Sequence, residues 1–407
     1  MNRKFVDFKV LTASLCCAVV MGVISFVFLK MLGLSSIFRE YFPYCIWFLP
    51  LSGMLTAFVY KKYGGESSKG NNLIIQSAND GVKVPKRLAI LTFFFTLLTH
   101  FSGGSAGREG TAVQIGGTLT SNVADKFGFK KEDRKTIILS GLSSAFGSVF
   151  GTPLAGAFFG MEVCCIGQLS ASAVIPCFLS SYLANAVTLL LGATHEVHTI
   201  ASVPNFGFKL ILIFVSASVF FGLLGKLFAL AVKYLKLLYA KIFKNTVLSA
   251  LAGSVVVTLL IILLNLNKYE GLSTWQQTTA FEGNANWYDM PVKFILTTLT
   301  LGAGFQGGEV TPLFDIGASF GGWYANLFGI EPSFLAAIGL ICVFGSAANA
   351  PITTIMLGIE LFGAEAAPYF VFASLISFIA SGKSGIYSSQ ERKLSKSLFS
   401  AKADFSE

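Results

Sequence analysis

Gly141–Glu162 reads GLSSAFGSVFGTPLAGAFFGME, and Gly339–Glu360 reads GLICVFGSAANAPITTIMLGIE. Without gaps the two share Gly-Leu, Phe-Gly-Ser, Pro, Gly and Glu, eight of 22 positions. Just upstream, Gly107–Gly116 (GREGTAVQIG) resembles Gly307–Gly317 (GGEVTPLFDIG) if one inserted residue is allowed. Both pairs lie about half a chain length apart and in the same order. Two ordered motifs repeating at one spacing mark an internal duplication. Its break falls near His198–Asn205 (HTIASVPN), so a first membrane repeat is expected over 1–202, a second over 203–392 and a short cytoplasmic tail over 393–407.

The medium is set by composition. Of 407 residues, 54% are hydrophobic and 13% charged, against roughly 25% charged in a soluble domain; the mean hydropathy is +0.68. Six uncharged runs, Val10–Leu29, Tyr41–Tyr60, Leu88–Gly107, Val163–Thr194, Asn245–Asn267 and Pro332–Ile359, each reach about the 20 residues that cross a bilayer. A soluble fold of this size has no interior for six such segments. The expectation is an all-α polytopic membrane protein in the cell inner membrane, its first run retained as a span because no small-residue cleavage site follows it.

Basic residues gather between the runs: Lys61, Lys62 and Lys69; Lys83, Lys86 and Arg87; Lys233, Lys236, Lys241 and Lys244; then Lys383, Arg392, Lys393 and Lys396. The positive-inside rule places these segments, and both termini, in the cytoplasm. That rule accounts for the net charge of +9, and no nucleic-acid signature accompanies it. The seven cysteines fall in apolar runs without a C-x-x-C pair, so they read as small hydrophobes with no metal or disulfide role. No cofactor is expected.

Three glycine-bearing interruptions precede helical patterns: Lys69–Ile75 (KGNNLII), Gly107–Thr111 (GREGT) and Gly307–Pro312 (GGEVTP). Glycines admit close backbone approach, and the free N–H groups of a helix start attract anions. Irregular backbone at membrane depth is tolerated only inside protein or along a cavity. Three such starts converging would make an anion site near the midplane, as in duplicated transporters. A duplicated receptor or scaffold would not need the breaks. If each half crosses an odd number of times the repeats are inverted, and the sequence alone does not show that parity.

GREGT, GTPLAGAFFGMEV (Gly151–Val163) and GGEVTP, in this order, resemble the CLC family of chloride channels and anion/proton antiporters, over about Lys69–Tyr387. The resemblance implies two inverted repeats of broken, tilted helices, a homodimer, and one pore per subunit. With about twenty residues after Tyr387, the regulatory CBS domains of many relatives are expected to be absent. The departures are informative. Gly70-Asn71-Asn72-Leu73-Ile74 stands for the family's GSGIP, whose serine holds chloride; GREGP ends in Thr111; GGIFAP becomes Gly307–Pro312; and Val163 replaces the exchangers' internal proton-transfer glutamate. These changes resemble the fluoride-exporting branch, which implies fluoride and protons as the transported ions.

On that resemblance Glu109 is the gating glutamate, occupying the anion's place when charged and leaving when protonated. The competing reading, a salt bridge with Arg108, meets the objection that adjacent helical side chains do not face each other. Gly70, Asn71, Asn72, Gly107, Arg108, Gly110, Thr111, Val310 and Tyr387 are the anion-contacting candidates. Asn71 offers amide donors, and it or Asn72 is equally suited to cap the next helix. Tyr387 matches the family's pore tyrosine, and Glu309 and Thr311 the fluoride or proton path. By the gapped alignment Glu309 repeats Glu109 and Thr311 repeats Thr111. Glu309 is also suited simply to complement a helix dipole. Glu162 and Glu360 read as structural; His100, His195 and His198 receive no role.

Two G-x-S-x-G strings, Gly103–Gly107 and Gly317–Gly321, raise a serine hydrolase, but that motif needs a strand–turn–helix context that glycine-rich helical segments do not provide. The sequence therefore reads as a transporter and not an enzyme. Its nearer alternatives are a chloride or general halide channel and a chloride/proton antiporter of the same family.

Overall fold

The computed structural model describes residues 7–392. Arg3, Lys4, Lys393, Lys396 and the 393–407 tail lie outside them. Sixteen α-helices fall in two series of eight. The first comprises α1 (Phe8–Tyr41), α2 (Leu49–Val59), α3 (Asn71–Asp80), α4 (Arg87–Phe101), α5 (Glu109–Lys126), α6 (Lys131–Phe150), α7 (Pro153–Glu162) and α8 (Val174–Leu190). The second comprises α9 (Phe208–Ile242), α10 (Thr246–Leu263), α11 (Trp275–Phe281), α12 (Asp289–Gly302), α13 (Val310–Phe328), α14 (Pro332–Ala348), α15 (Pro351–Phe362) and α16 (Ala367–Ser381). The 202/203 division drawn from the sequence falls between α8 and α9.

The uncharged runs overstate helix length. Pro332–Ile359 is two helices, because Asn349 turns left-handed at φ +56 and Pro351 then opens α15. Gly151, at φ +76, and Pro153 do the same between α6 and α7. A left-handed C-cap followed by a proline at the next helix start ends one helix and begins another. Leu88–Gly107 yields only the 15 residues of α4 before the chain leaves helical geometry. Five helical stretches are long and apolar enough to cross a membrane: Phe8–Tyr41, Pro43–Lys69, Ala171–Leu190, Phe208–Ile242 and Thr246–Leu263. Outward-facing Val19, Val23, Leu51, Ile211, Leu227 and Leu259 are exposed on these segments or beside them, as lipid contact requires. α5, α6, α13 and α14 are buried on almost every face and form the centre.

The two series are related by reciprocal contacts. Glu162, ending α7, accepts from Ile352 N at 3.0 Å and Thr353 N at 2.7 Å at the start of α15. Glu360, near the end of α15, accepts from Leu154 N and Ala155 N at 2.8 Å at the start of α7. Each glutamate supplies acceptors for N–H groups that a helix start leaves unpaired. At the α5–α6 and α13–α14 crossings a Cβ on Gly116 would lie 2.5 Å from Gly141 O, and one on Gly317 would lie 2.1 Å from Gly339 O. Only glycine allows helices so close. Such exchange of equal contacts is the mark of two repeats related by an approximate two-fold axis.

Two polar clusters fix the elements that reach the centre. Arg134 of α6 binds Asp125 Oδ1 at 2.7 Å, Ser77 O at 2.5 Å and Ser121 Oγ at 2.9 Å, anchoring the end of α3. Gln390 Nε2 donates to Val163 O and Ala348 O at 2.9 Å. The short parallel pair β1 (Cys165–Ile166) and β2 (Glu391–Arg392) continues that attachment, and together they hold the Tyr387 segment under the α7 and α14 ends.

Candidate functional site

The site is built where the starts of α5 and α13 meet. Gly107 N–H donates to Gly308 O and Gly308 N–H to Gly107 O, both at 2.7 Å. A Cβ on Gly308 would lie 2.8–3.0 Å from the backbone nitrogens of Gly110, Glu109 and Arg108. The first-turn amides of α5 thus crowd round a position that only glycine can fill. With Gly107 facing Gly308, the repeat register needs no insertion: Arg108 and Glu309 are both N-caps, while Glu109 and Val310 are both first helical residues. The pairing of Glu109 with Glu309 and of Thr111 with Thr311 is corrected. Identity drew the two glutamates together, whereas the bridge and the helix starts set the register.

Glu109 is 0% exposed. Its carboxylate accepts from Thr311 N–H at 3.1 Å and from the Thr311 hydroxyl at 2.6 Å, so it sits on the start of α13. Arg108 N–H at 3.2 Å and Arg108 Nε at 3.1 Å complete the shell. The salt bridge discounted from the sequence is therefore present. Arg108 lies outside the helix, at φ −120 and ψ −27, so the helical spacing rule does not apply to it.

Two cavities reach the residues of this meeting point. One, of about 350 Å³, is lined by Asn71, Gln114, Lys233, Lys236, Glu309 and Tyr387 among others. The other, a slot of about 50 Å³, is lined by Arg108, Glu109, His195, Thr311 and the rings of Phe150, Phe314 and Phe362. Glu109 lines the slot and not the larger cavity, whereas Gly307 and Glu309, beside the Gly107–Gly308 bridge, line the larger one.

The structure divides the predicted residues. Gly70, Asn71, Asn72, Tyr387 and Glu309 line the large cavity; Arg108, Glu109 and Thr311 line the slot. Asn71 Oδ1 and the Tyr387 hydroxyl are buried without a protein partner. Neither asparagine caps α3: Gly70 is its N-cap and no side chain bonds there. Asn72 Oδ1 accepts from Ser389 N–H at 3.0 Å, tying α3 to the Tyr387 segment. Gly110 backs the meeting point, 3.1 Å from Asn71 Nδ2 by its absent Cβ. Three candidates fall away from direct contact. The Gly107 N–H is taken by Gly308; Thr111 turns its hydroxyl to Thr96 at 2.7 Å; and the side chain of Val310, 1% exposed, lines neither cavity. Sequence reasoning missed Gln114, whose buried Oε1 is also unpartnered, and the imidazoles of the slot. His195 lies in the connecting segment after α8, where burial, and then the Arg108 charge, push its imidazole down to about 4.

The hydrolase strings gain no support in geometry. Gly103–Gly107 is non-helical, not the helical segment expected, and its Ser105 pairs with Thr297 at 2.9 Å; Ser319 lies inside α13. Among the described residues, no group of three or more His, Cys, Asp and Glu is placed to hold a metal.

Residues 52–382 match the family model described as "Voltage gated chloride channel". The chain is 38% identical over 380 residues to a "Chloride/fluoride channel protein" of Pseudomonas syringae pv. tomato, covering 92% of this chain and 84% of that one. It is 27% identical over 327 residues to the "H(+)/Cl(-) exchange transporter ClcA" of Vibrio parahaemolyticus, covering 75% and 69%. A solved CLC-type fluoride/proton antiporter superposes with a TM-score of 0.91 at 33% identity, over 96% of this chain and 100% of that one. A slow cyanobacterial Cl⁻/H⁺ antiporter shares the fold, with a TM-score of 0.79 at 17% identity over 94% and 97%. The chain belongs to the voltage-gated chloride channel, or CLC, family.

Proposed function

We propose that this CLC-family protein is a fluoride/proton antiporter that exports fluoride from the cytoplasm across the inner membrane. It works as a homodimer with one pore in each subunit, built from repeats over 1–202 and 203–392, with 393–407 as a cytoplasmic tail. The observation that carries the reading is Glu109 seated on the start of α13, in a slot next to residues that border the large cavity. The large cavity, bordered by Lys69, Lys233 and Lys236, faces the cytoplasm by the positive-inside rule, as do both termini; the slot faces outward.

The coupling follows from what holds the carboxylate. Charged Glu109 occupies the Thr311 amide and hydroxyl and the Arg108 amide. Protonated, it no longer matches those donors, and they become available to an anion arriving from the large cavity. On that approach the unpartnered Tyr387 hydroxyl can donate, while the unpartnered Asn71 Oδ1 and Gln114 Oε1 only accept; Glu309 with Thr311 borders the path. A small anion that accepts strong hydrogen bonds suits this dense set of donors. The fluoride assignment leans on Asn71, Thr311 and Glu309, and on relatives described as a chloride/fluoride channel protein and a fluoride/proton antiporter. Hydrogen fluoride enters cells neutral and releases fluoride inside, so inward proton flow is a suitable driving force.

Val163, where exchangers carry a second glutamate, favours a channel without proton coupling as one rival; a chloride or other halide transporter of the same family is the other. Proteoliposomes read with a fluoride electrode and a pH probe separate them. Fluoride efflux with proton uptake is expected. Chloride efflux at the fluoride rate would sink the selectivity, and fluoride without protons would sink the antiport. Glu109→Gln is expected to abolish proton-coupled exchange; unchanged coupling in that variant would place the gate elsewhere.

A further inference from the structure

The outer slot poses a problem that the antiport reading leaves open. Glu109 is fully buried, and the slot before it, about 50 Å³, is narrow and walled by Phe150, Phe314 and Phe362. A proton from outside therefore passes the side chains that line the slot before it reaches the carboxylate.

His195 stands in this slot with both ring nitrogens buried and without a protein partner. Its ring lies flat against the α6–α7 break, where a Cβ on Gly151 would come within 2.5 Å of Cδ2. An imidazole always carries at least one N–H and can accept at the other nitrogen. Two such atoms left unpaired beside a water-sized space are placed to pass a proton. The charged and titratable groups facing the slot are Arg108 and Glu109 from α5, and Glu196 and His198 from the same segment as His195. α11, α13, α14 and α15 contribute none. Arg108 does not release protons near neutrality. Glu196 is held by the Thr274 hydroxyl at 2.7 Å, and His198 is stacked on Phe281.

We propose that His195 relays protons between the outer solution and Glu109, through a water held in the slot. The inference rests on the antiport reading and adds the outer donor. One ring nitrogen takes a proton from outside. The other gives its own proton to the slot water, which passes one to the carboxylate and leaves His195 neutral in its other tautomer. Burial and Arg108 bring the imidazole down to about 4. A ring whose charged form is so disfavoured hands a proton on and does not keep it.

The test uses the full chain in liposomes. His195→Phe keeps a flat ring on Gly151 without nitrogens, and His195→Ala opens the space. Both are expected to slow proton-coupled fluoride efflux by about 100-fold at neutral external pH, the low end for loss of a proton-transfer group, and the loss deepens as external pH rises. External imidazole is expected to restore the Ala variant and leave the Phe variant slow. Rates in both variants within about twofold of wild type across external pH would overturn the relay, since far more is expected of a lost proton donor. So would a slow Ala variant that imidazole does not rescue, which is what a packing role predicts. Wild-type protein moving fluoride without protons would sink the antiport reading and this inference together, whereas coupled wild-type exchange with unaffected variants sinks only this one.

Discussion

Replacing Thr311 by Val keeps the shape of the side chain and removes one hydroxyl from the place where Glu109 rests. That hydroxyl is 2.6 Å from the carboxylate, while the Thr311 amide and the two Arg108 donors remain. A hydrogen bond to a charged group contributes about 1.5–3 kcal/mol, and each 1.4 kcal/mol is roughly a factor of ten. The ratio of seated to displaced Glu109 should therefore fall by roughly 10- to 100-fold. A carboxylate that leaves its place without a proton lets fluoride pass unaccompanied. In liposomes the protons taken up per fluoride released should drop, with a fluoride leak in the absence of a pH gradient. Thr311→Ser keeps the hydroxyl and should keep the ratio. Thr311→Val with wild-type coupling and no leak would refute the reasoning, because the hydroxyl would then contribute nothing to holding the gate.

Arg134→Met leaves Asp125, Ser77 O and Ser121 without their shared donor, and should cost about 1–3 kcal/mol, as leaving buried acceptors unpaired does; a lowered unfolding temperature in detergent is the readout. Gly308→Ala would press a Cβ to 2.8–3.0 Å from three backbone nitrogens. Backbone cannot yield as a side chain can, so transport should vanish while helical content by circular dichroism is retained. Lys236→Met removes a positive charge from the wall of the large cavity. It should slow initial fluoride efflux at low salt, and the difference should close as ionic strength rises, because steering by exposed charge is screened.

What the sequence made legible was local chemistry. Glycine before a polar helix start, and a left-handed cap followed by proline, act within a few residues, so the breaks at Asn71, Glu109, Val310 and Pro351 could be read or nearly read from the chain. What it hid depended on the third dimension. The register between GREG and GGEV is set by the Gly107–Gly308 bridge, which no one-dimensional alignment contains. Thr111 follows Glu109 by two residues, about 200° round a helix, so its turn toward α4 follows once the helix start is known. Arg134 stands in the charged stretch Lys130–Lys135, yet is 8% exposed. The two histidines of the slot carried no pattern, because the residues they lie against, Gly151 and Phe281, come from the α6–α7 break and from α11.

Across the duplication, matching positions keep the same residue where they build and differ where they act. Gly107 faces Gly308, Gly116 and Gly317 pass equally close to their crossing helices, and Glu162 and Glu360 exchange equal caps. At the centre the corresponding positions are Arg108 and Glu309, Glu109 and Val310, Gly110 and Thr311, Gln114 and Asp315. An inverted pair of identical starts would present the same donors and the same carboxylate to both solutions, and could not tell which side had supplied the proton. Putting the carboxylate on one start and its hydroxyl and amide donors on the other gives a single place with two unequal approaches: a wide basic cavity and a narrow slot lined by imidazole. Restoring symmetry is therefore the change that should cost this scaffold its coupling. Val310→Glu would set a second carboxylate at the matching first-turn position, one residue from Thr311. Val310 is 1% exposed, so the variant should be less stable, and the protein that does assemble should lose net exchange, because two like charges would compete for one set of donors. Wild-type coupling in that variant would show that the asymmetry of the two helix starts does not direct transport.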